Sequence, residues 1–422
     1  MKKNPASSNS QSSASFFRSS RLMIIFIPTL LWGDILETEA STTTQRFYRP
    51  TQAQQRLLQQ QREQEQRIQL LRRQQALQKK KTPEIQRNKK TPQTPAGKTL
   101  SAPLTATGKA ATYNKIRYIT YQKRRFVLLQ DVAKYYGMKI TYQTKGIQLK
   151  SSRDTVELQY KKRIANVNKT NMYLTHAPLV RGALVYLDEN DFFLVIDPVI
   201  RNAPLWKHSI KTILVDAGHG GKDQGAPGVN KLLEKNITLQ MANKLAAQLR
   251  KSGYKVLMTR TGDTTLTLQQ RADLCEKYKP HLFISIHCNA VKNKKTSGVE
   301  TFAMTPRGAA STSDKKPGKS TGPGNSYDKN NYRLAYEVQK KLIQVTKSPD
   351  RGVKHARFFV LRKAICPGIL VETGFITHPK EGVNLSKSAY QDKIISGIVS
   401  GINAYVNAAK LRPDPKRALK KK

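Results

Sequence analysis

Residues 213–228 read ILVDAGHGGKDQGAPG. Ile213-Leu214-Val215 is an unbroken apolar run, the pattern of a buried strand. Glycines at 218, 220, 221, 225 and 228 follow it and read as a loop at the carboxyl end of that strand. A histidine in such a loop, His219, is placed to face a cleft instead of the core. His219 is expected to hold a metal, with Glu234, His287 and Glu372 completing the site.

Outward from this stretch, residues 210–408 alternate between strand and helix patterns. Strands are expected at Thr212–Val215, Lys255–Thr259, Leu282–His287, Val299–Met304, Phe358–Leu361 and Ile369–Glu372. Helices are expected at Asn236–Lys251, with Ile237, Met241, Leu245 and Leu249 on one face, at Leu268–Lys279 from a Thr267 cap, at Asn331–Val345 and at Tyr390–Ala408. Such alternation predicts an α/β fold, a mostly parallel sheet with helices on both faces.

Three of the four candidates follow apolar strands: His219 after ILVDAG, His287 after LFISI and Glu372 after ILV. Ligand sites of open α/β sheets lie outside the carboxyl ends of the strands, so these side chains are expected to converge. Glu234 opens the next helix, where a carboxylate also suits the helix dipole. One strand-end histidine is commonly structural. Two of them with two acids make a metal set, and His219, Glu234 and His287 form a His2Glu zinc site with one position open. Glu372 is then free to move a proton. No HExxH occurs, so the usual metalloprotease helix is absent.

The segments VDAGHGGKDQGAPG, LLEKNITLQMANKLAAQL, GYKVLMTRTGD, LTLQQRADLCEKYKPHLFISIHCNA, GVETF and DRGVKHARFFVLRKAICPGILVETGFITHPKEGVNL follow one another in order. In these the chain resembles the zinc-dependent N-acetylmuramoyl-L-alanine amidases of the amidase-3 type. The resemblance implies Zn2+ on His219, Glu234 and His287, and a catalytic Glu372 in the LVExGF motif. It implies hydrolysis of the amide between N-acetylmuramic acid and L-alanine in peptidoglycan, in wall remodelling and septum splitting. Matching positions suggest substrate contacts for Asn289, Arg260 and Arg271, and a supporting role for Asp216 beside His219. His378 departs from the family's asparagine and is not expected to bind metal. Some family members carry an inhibitory helix over the zinc. The corresponding stretch here, 305–331, has no apolar periodicity, so an unblocked site is expected. Two rival readings remain: a non-catalytic wall-binding or divisome module, and a zinc peptidase cutting within the stem peptide.

The rest of the chain reads as delivery apparatus. The protein has 422 residues, with 75 Lys+Arg against 28 Asp+Glu and a formal charge of +47. Its hydrophobic fraction is 38%, which is low for one globular unit and points to a long non-globular part. Residues 1–41 combine a basic, Ser-rich start with the apolar run LMIIFIPTLLWG at 22–33, the pattern of a signal peptide or anchor. Export to the periplasm or cell envelope is expected, with a membrane contact through 22–33. Residues 42–112 are Gln/Arg/Lys-rich and read as a flexible linker. Residues 113–205 read as a small α+β domain of one helix and short strands, the last at Leu184–Leu187 and Asp191–Ile196. This domain resembles the amino-terminal module of copper amine oxidases and is read as an envelope-binding or spacer module. Residues 409–422 form a basic tail. Much of the charge lies in the linker, so peptidoglycan, envelope activators or divisome proteins are the expected partners, and no nucleic acid is expected. Three cysteines, Cys275, Cys288 and Cys366, contain no CxxC and exclude a cysteine zinc ribbon.

Overall fold

The computed structural model describes residues 98–99, 116–201, 209–314 and 316–410. The expected export segment, nearly all of the linker and the tail beyond Lys410 lie outside the described residues. Among the described residues no helix is long and apolar enough to cross a membrane.

The strands are β1 (Lys98–Thr99), β2 (Arg117–Tyr121), β3 (Arg124–Leu128), β4 (Lys139–Gln143), β5 (Gly146–Lys150), β6 (Thr155–Gln159), β7 (Ile164–Val167), β8 (Thr170–Tyr173), β9 (Leu179–Arg181) and β10 (Leu184–Asp188). They continue as β11 (Thr212–Ala217), β12 (Lys255–Met258), β13 (Leu282–Asn289), β14 (Val299–Met304), β15 (Asp350–Ala356) and β16 (Gly368–Phe375). The helices are α1 (Leu129–Tyr136), α2 (Asp197–Ile200), α3 (Glu234–Lys251), α4 (Leu268–Tyr278), α5 (Asp328–Thr346), α6 (Phe359–Lys363), α7 (Pro379–Leu385) and α8 (Ser388–Lys410).

One large sheet runs in the order β12-β11-β13-β16-β14-β15-β8-β7-β6-β5-β4. Strands β12, β11, β13 and β16 run parallel to one another, β14 is antiparallel to β16, and β15 is parallel to β14. The chain is thus α/β with a mostly parallel sheet over residues 210–408. The hairpins β4–β8 extend the same sheet, because β8 meets β15 at Met172 and Val353. A second antiparallel sheet, β1-β2-β3-β10-β9, completes the amino-terminal part. Arg163 fastens that part further, its guanidinium donating to the carbonyls of Ala310, Ser311 and Asp314.

Period-two alternation explains how the parallel strands serve two masters. Ile213, Val215 and Ala217 share a core with Ile237, Met241, Leu245 and Leu249 of α3 and Ile394 and Ile398 of α8. Their alternates, Leu214, Phe283 and Leu370, pack on the other face with Cys275 of α4 and Val360 and Leu361 of α6. Helices therefore cover both faces. Thr267 and Gln270 form a complete capping box that starts α4.

Two segments differ from the sequence reading. Phe358–Leu361 is not a strand: Phe359–Lys363 is the short helix α6, and the strand is Asp350–Ala356. Charged Arg351 and Lys354 hid that strand, because their side chains turn to a buried acid, Glu300. Asp191–Ile196 is a π-helical turn leading into α2. It starts where the buried Asp191 carboxylate accepts the backbone N–H groups of Thr175 and His176, at 2.6 and 3.0 Å.

Helices α5 and α8 approach closely at Gly401, where a Cβ would lie 2.5 Å from Val338 Cα. Gly401→Ala is expected to lower stability by about 1–3 kcal/mol through overpacking, despite alanine's better helix propensity. Urea unfolding monitored by circular dichroism checks this.

Candidate metal centre and cleft

Strand β11 ends at Ala217, and the chain turns through Gly218 into His219, which has φ of 59°, in the left-handed region. A non-glycine residue stays there only if its surroundings hold it. Two buried arginines do so. Arg260 Nε donates to Ala217 O at 3.0 Å, and its Nη2 to Gly218 O at 2.8 Å. Arg271 Nη1 donates to Ala217 O at 2.7 Å, and its Nη2 to His219 O at 2.6 Å. Arg271 is in turn paired with Asp216 Oδ1 at 2.6 Å, and that carboxylate also accepts from Thr259 and Ser285. Burial raises the Asp216 pKa, but the Arg271 charge leads the opposing effects and leaves it below its ordinary value. Gly218 is required for another reason: a Cβ there would meet the His287 ring at 2.4 Å.

The same alternation that splits the core puts the polar residues together. Asp216 lies opposite Ser285, and His287 opposite Glu372, on neighbouring parallel strands. Glu234 is the first residue of α3 and is buried. Its carboxylate bridges the two imidazoles. Glu234 Oε2 is 3.2 Å from His219 Nε2, and Oε1 is 3.0 Å from His287 Nδ1. The two rings stand nearly perpendicular, with centroids 4.9 Å apart. One donor atom from each of His219, Glu234 and His287 falls within 4.8 Å of the others. Burial alone raises the Glu234 carboxyl, but the hydrogen bonds to His219 and His287 outweigh it and hold the pKa well below the usual range. Backbone N–H groups of Ala226 and Cys288 complete its shell. His219 Nδ1 is held by Asp223 Oδ2 at 2.9 Å.

Glu372 is oriented differently. Its Oε2 is buried and has no hydrogen-bond partner among the described residues. Burial first, then the carboxylates of Glu234 and Glu300, pushes its pKa well above the ordinary value, with Lys354 opposing them. Glu372, His219, His287 and Arg271 line a cleft of about 550 Å³ together with the apolar Leu266, Leu268, Phe358, Phe359 and Val360. No residue of 305–331 lines it among the described residues. That loop is instead tied back by Arg163 and by Arg357, which donates to Ala309 and Ser320 carbonyls.

The structure brings His219, Glu234, His287 and Glu372 together and separates other candidates from the cleft. Arg260 is buried beneath the loop with its donors on backbone carbonyls, so it is not placed to touch a substrate. Asn289 is likewise outside the cleft lining, its amide donating to Glu300 Oε1 at 2.7 Å. Arg271 lines the cleft while also serving the loop. Asp216 acts on His219 through Arg271. His378 caps α7, its Nδ1 accepting from Glu381 N at 3.0 Å. Sequence reading missed Asp223, Ser285, Glu300 and Lys354. Ser285 had a signal, since it lies two residues before His287 on the same strand face. Glu300 had none, because its partners Arg351 and Lys354 lie far along the chain.

A second grouping, His176, Asp188 and Asp191, also has metal-competent atoms close together. There both acids already accept backbone N–H groups, and Arg124 lies 3.8 Å from Asp188. This cluster braces a turn.

A carboxylate held between two imidazoles, with a second acid in the adjoining cleft, is a group of residues that could hold a metal ion. Residues 213–404 match the family described as N-acetylmuramoyl-L-alanine amidase. The chain is 34% identical over 221 residues to N-acetylmuramoyl-L-alanine amidase AmiA of Salmonella typhimurium, covering 47% of this chain and 76% of that protein. It is 33% identical over 219 residues to AmiA of Escherichia coli, covering 46% of this chain and 76% of the relative. The germination-specific N-acetylmuramoyl-L-alanine amidase of Bacillus subtilis is 33% identical over 210 residues, with 46% and 79% covered. The chain belongs to the N-acetylmuramoyl-L-alanine amidase family.

Asp216→Ala leaves the Arg271 guanidinium buried without its partner. We expect a stability loss of about 3–5 kcal/mol, measured by chemical unfolding. The same variant should bind metal more weakly, read by competition with a chromogenic chelator.

Proposed function

We propose that this chain is a zinc-dependent peptidoglycan amidase. In this reading it hydrolyses the amide between the lactyl group of N-acetylmuramic acid and L-alanine. The observation that supports it most is the unpartnered Oε2 of Glu372, buried in the cleft wall beside His219 and His287. A carboxyl group left without a partner there is available to a reacting proton.

His219, Glu234 and His287 fit zinc by their chemistry: two imidazole nitrogens and one carboxylate, with backbone N–H groups and Asp223 orienting them. A bound zinc ion supplies Lewis-acid polarisation of an amide carbonyl and a more acidic water. The protein's own groups do the rest. Leu266, Leu268, Phe358 and Phe359 present an apolar wall for the substrate backbone. Glu372 takes a proton from the attacking water and returns it to the departing nitrogen. Water is consumed, and a lactyl carboxylic acid and a free L-alanine amine are formed, the acid then giving its proton to the amine.

Export by residues 1–41, action in the periplasm or cell envelope and a role in septum splitting belong to the same proposal. They are supported by the basic, then apolar, start of the chain. Residues 113–205 are proposed to hold the enzyme at the wall.

Glu372→Gln should lower the rate of amide hydrolysis by about 10²–10⁴-fold while metal content is retained. Purified peptidoglycan digested with wild type should release intact stem peptides, identified by mass. Removal of metal by a chelator should abolish release, and added Zn2+ should restore it. Release of shortened stem peptides would replace this reading with the peptidase. Equal release by Glu372→Gln would remove the assigned role of that residue.

A further inference from the structure

A second groove lies outside the cleft, in the amino-terminal part. Its volume is about 1230 Å³, and it is formed where the turns after β2, β4 and β6 meet the segment before β9. Arg124, Lys145, Lys161 and Lys162 line it together with Tyr121 and Tyr160, and no Asp or Glu is among its lining residues. Lys145, Lys161 and Lys162 are exposed and take part in no ion pair among the described residues. Arg124 is partly offset by Asp188 at 3.8 Å. Arg181 adds a further cation at the rim, stacked 4.3 Å over the Tyr121 ring. Cations gathered in a concave, partly apolar surface raise the local concentration of an anionic ligand that also has flat apolar faces.

We propose that this groove binds glycan strands from which the peptides have been removed, the product of the chain's own reaction. The inference rests on the amidase reading. Hydrolysis of the lactyl amide adds water across the C–N bond. The nitrogen leaves with the peptide, and the glycan keeps the oxygen as a carboxylate. Each cleavage therefore puts one carboxylate on the sugar's own lactyl group and strips the strand of its peptide, with the charges the peptide carried. The resulting polymer alternates sugar ring faces with carboxylates, which complements tyrosine rings interleaved with lysines and an arginine. The groove thus keeps the enzyme on strands it has already processed, while the cleft works on neighbouring substituted ones.

The test uses the full chain in the Glu372→Gln background, so that no strand is altered during the measurement. Binding is measured to strands denuded by a separate amidase, to intact uncrosslinked strands, and to phosphatidylglycerol vesicles. The basic linker is present in every arm and cancels in the comparison. We expect tighter binding to denuded than to intact strands. K145A/K161A/K162A should weaken binding to denuded strands by about tenfold, the scale of three exposed ionic contacts. Tyr160→Ala should weaken it without changing its salt dependence. An unchanged affinity of the triple variant for denuded strands, with an unchanged unfolding midpoint, would overturn the proposal. So would an equal loss on vesicles, which would assign the groove to a lipid surface. Because the denuded strands are made by another enzyme, binding can hold even if this chain fails to cut the lactyl amide. In that case the amidase reading fails and the groove does not.

Discussion

The site depends on two guanidinium groups held under one loop. Arg260 and Arg271 are buried, and between them they bond the carbonyls of Ala217, Gly218 and His219. At the end of β11 these carbonyls leave the strand ladder and need other donors. Charged donors satisfy them instead, each bond contributing about 1.5–3 kcal/mol. The cost of burying Arg271 is offset by Asp216, at 2.6 Å. This clamp fixes His219 in a left-handed conformation and so aims its ring at Glu234. Asp263, Thr265 and Lys235 hold the loop beyond it, bonding Gly221 and Lys222.

The second constraint is the alternation of side chains along a strand. In β11, β13 and β16, one set of residues packs against α3 and α8. The other set begins as core, with Leu214, Phe283 and Leu370, and turns polar toward the carboxyl ends, with Asp216, Ser285, His287 and Glu372. Parallel pairing without a register shift up to His287 and Glu372 then places the histidine and the glutamate side by side. A slip of one residue would move both into the opposite core. The buried apolar face therefore fixes the geometry of the site.

Much of this was legible in the sequence. Strand-end positions marked His219, His287 and Glu372, and the resemblance added Glu234. The helices were legible from their apolar spacing and from the Thr267 cap. What escaped detection had long-range causes. Strand β15 was masked by Arg351 and Lys354, whose charges are paired with Glu300 some fifty positions earlier. Arg260 looked like a substrate ligand because nothing local shows that a guanidinium will be buried. The continuation of the sheet into β8–β4 runs through the pairing of Met172 with Val353, beside which Asn171 bonds Asp350. No periodicity announces such a contact.

The central claim is that His219, Glu234 and His287 together hold one zinc ion. Crystals of the purified protein, measured on either side of the zinc absorption edge, test it most directly. The account predicts a single anomalous peak per chain, bounded by those three side chains, with Glu372 beside it and not bonded to it. Absence of a peak there from zinc-saturated protein, with Glu234 still hydrogen-bonded to both imidazoles, would contradict it.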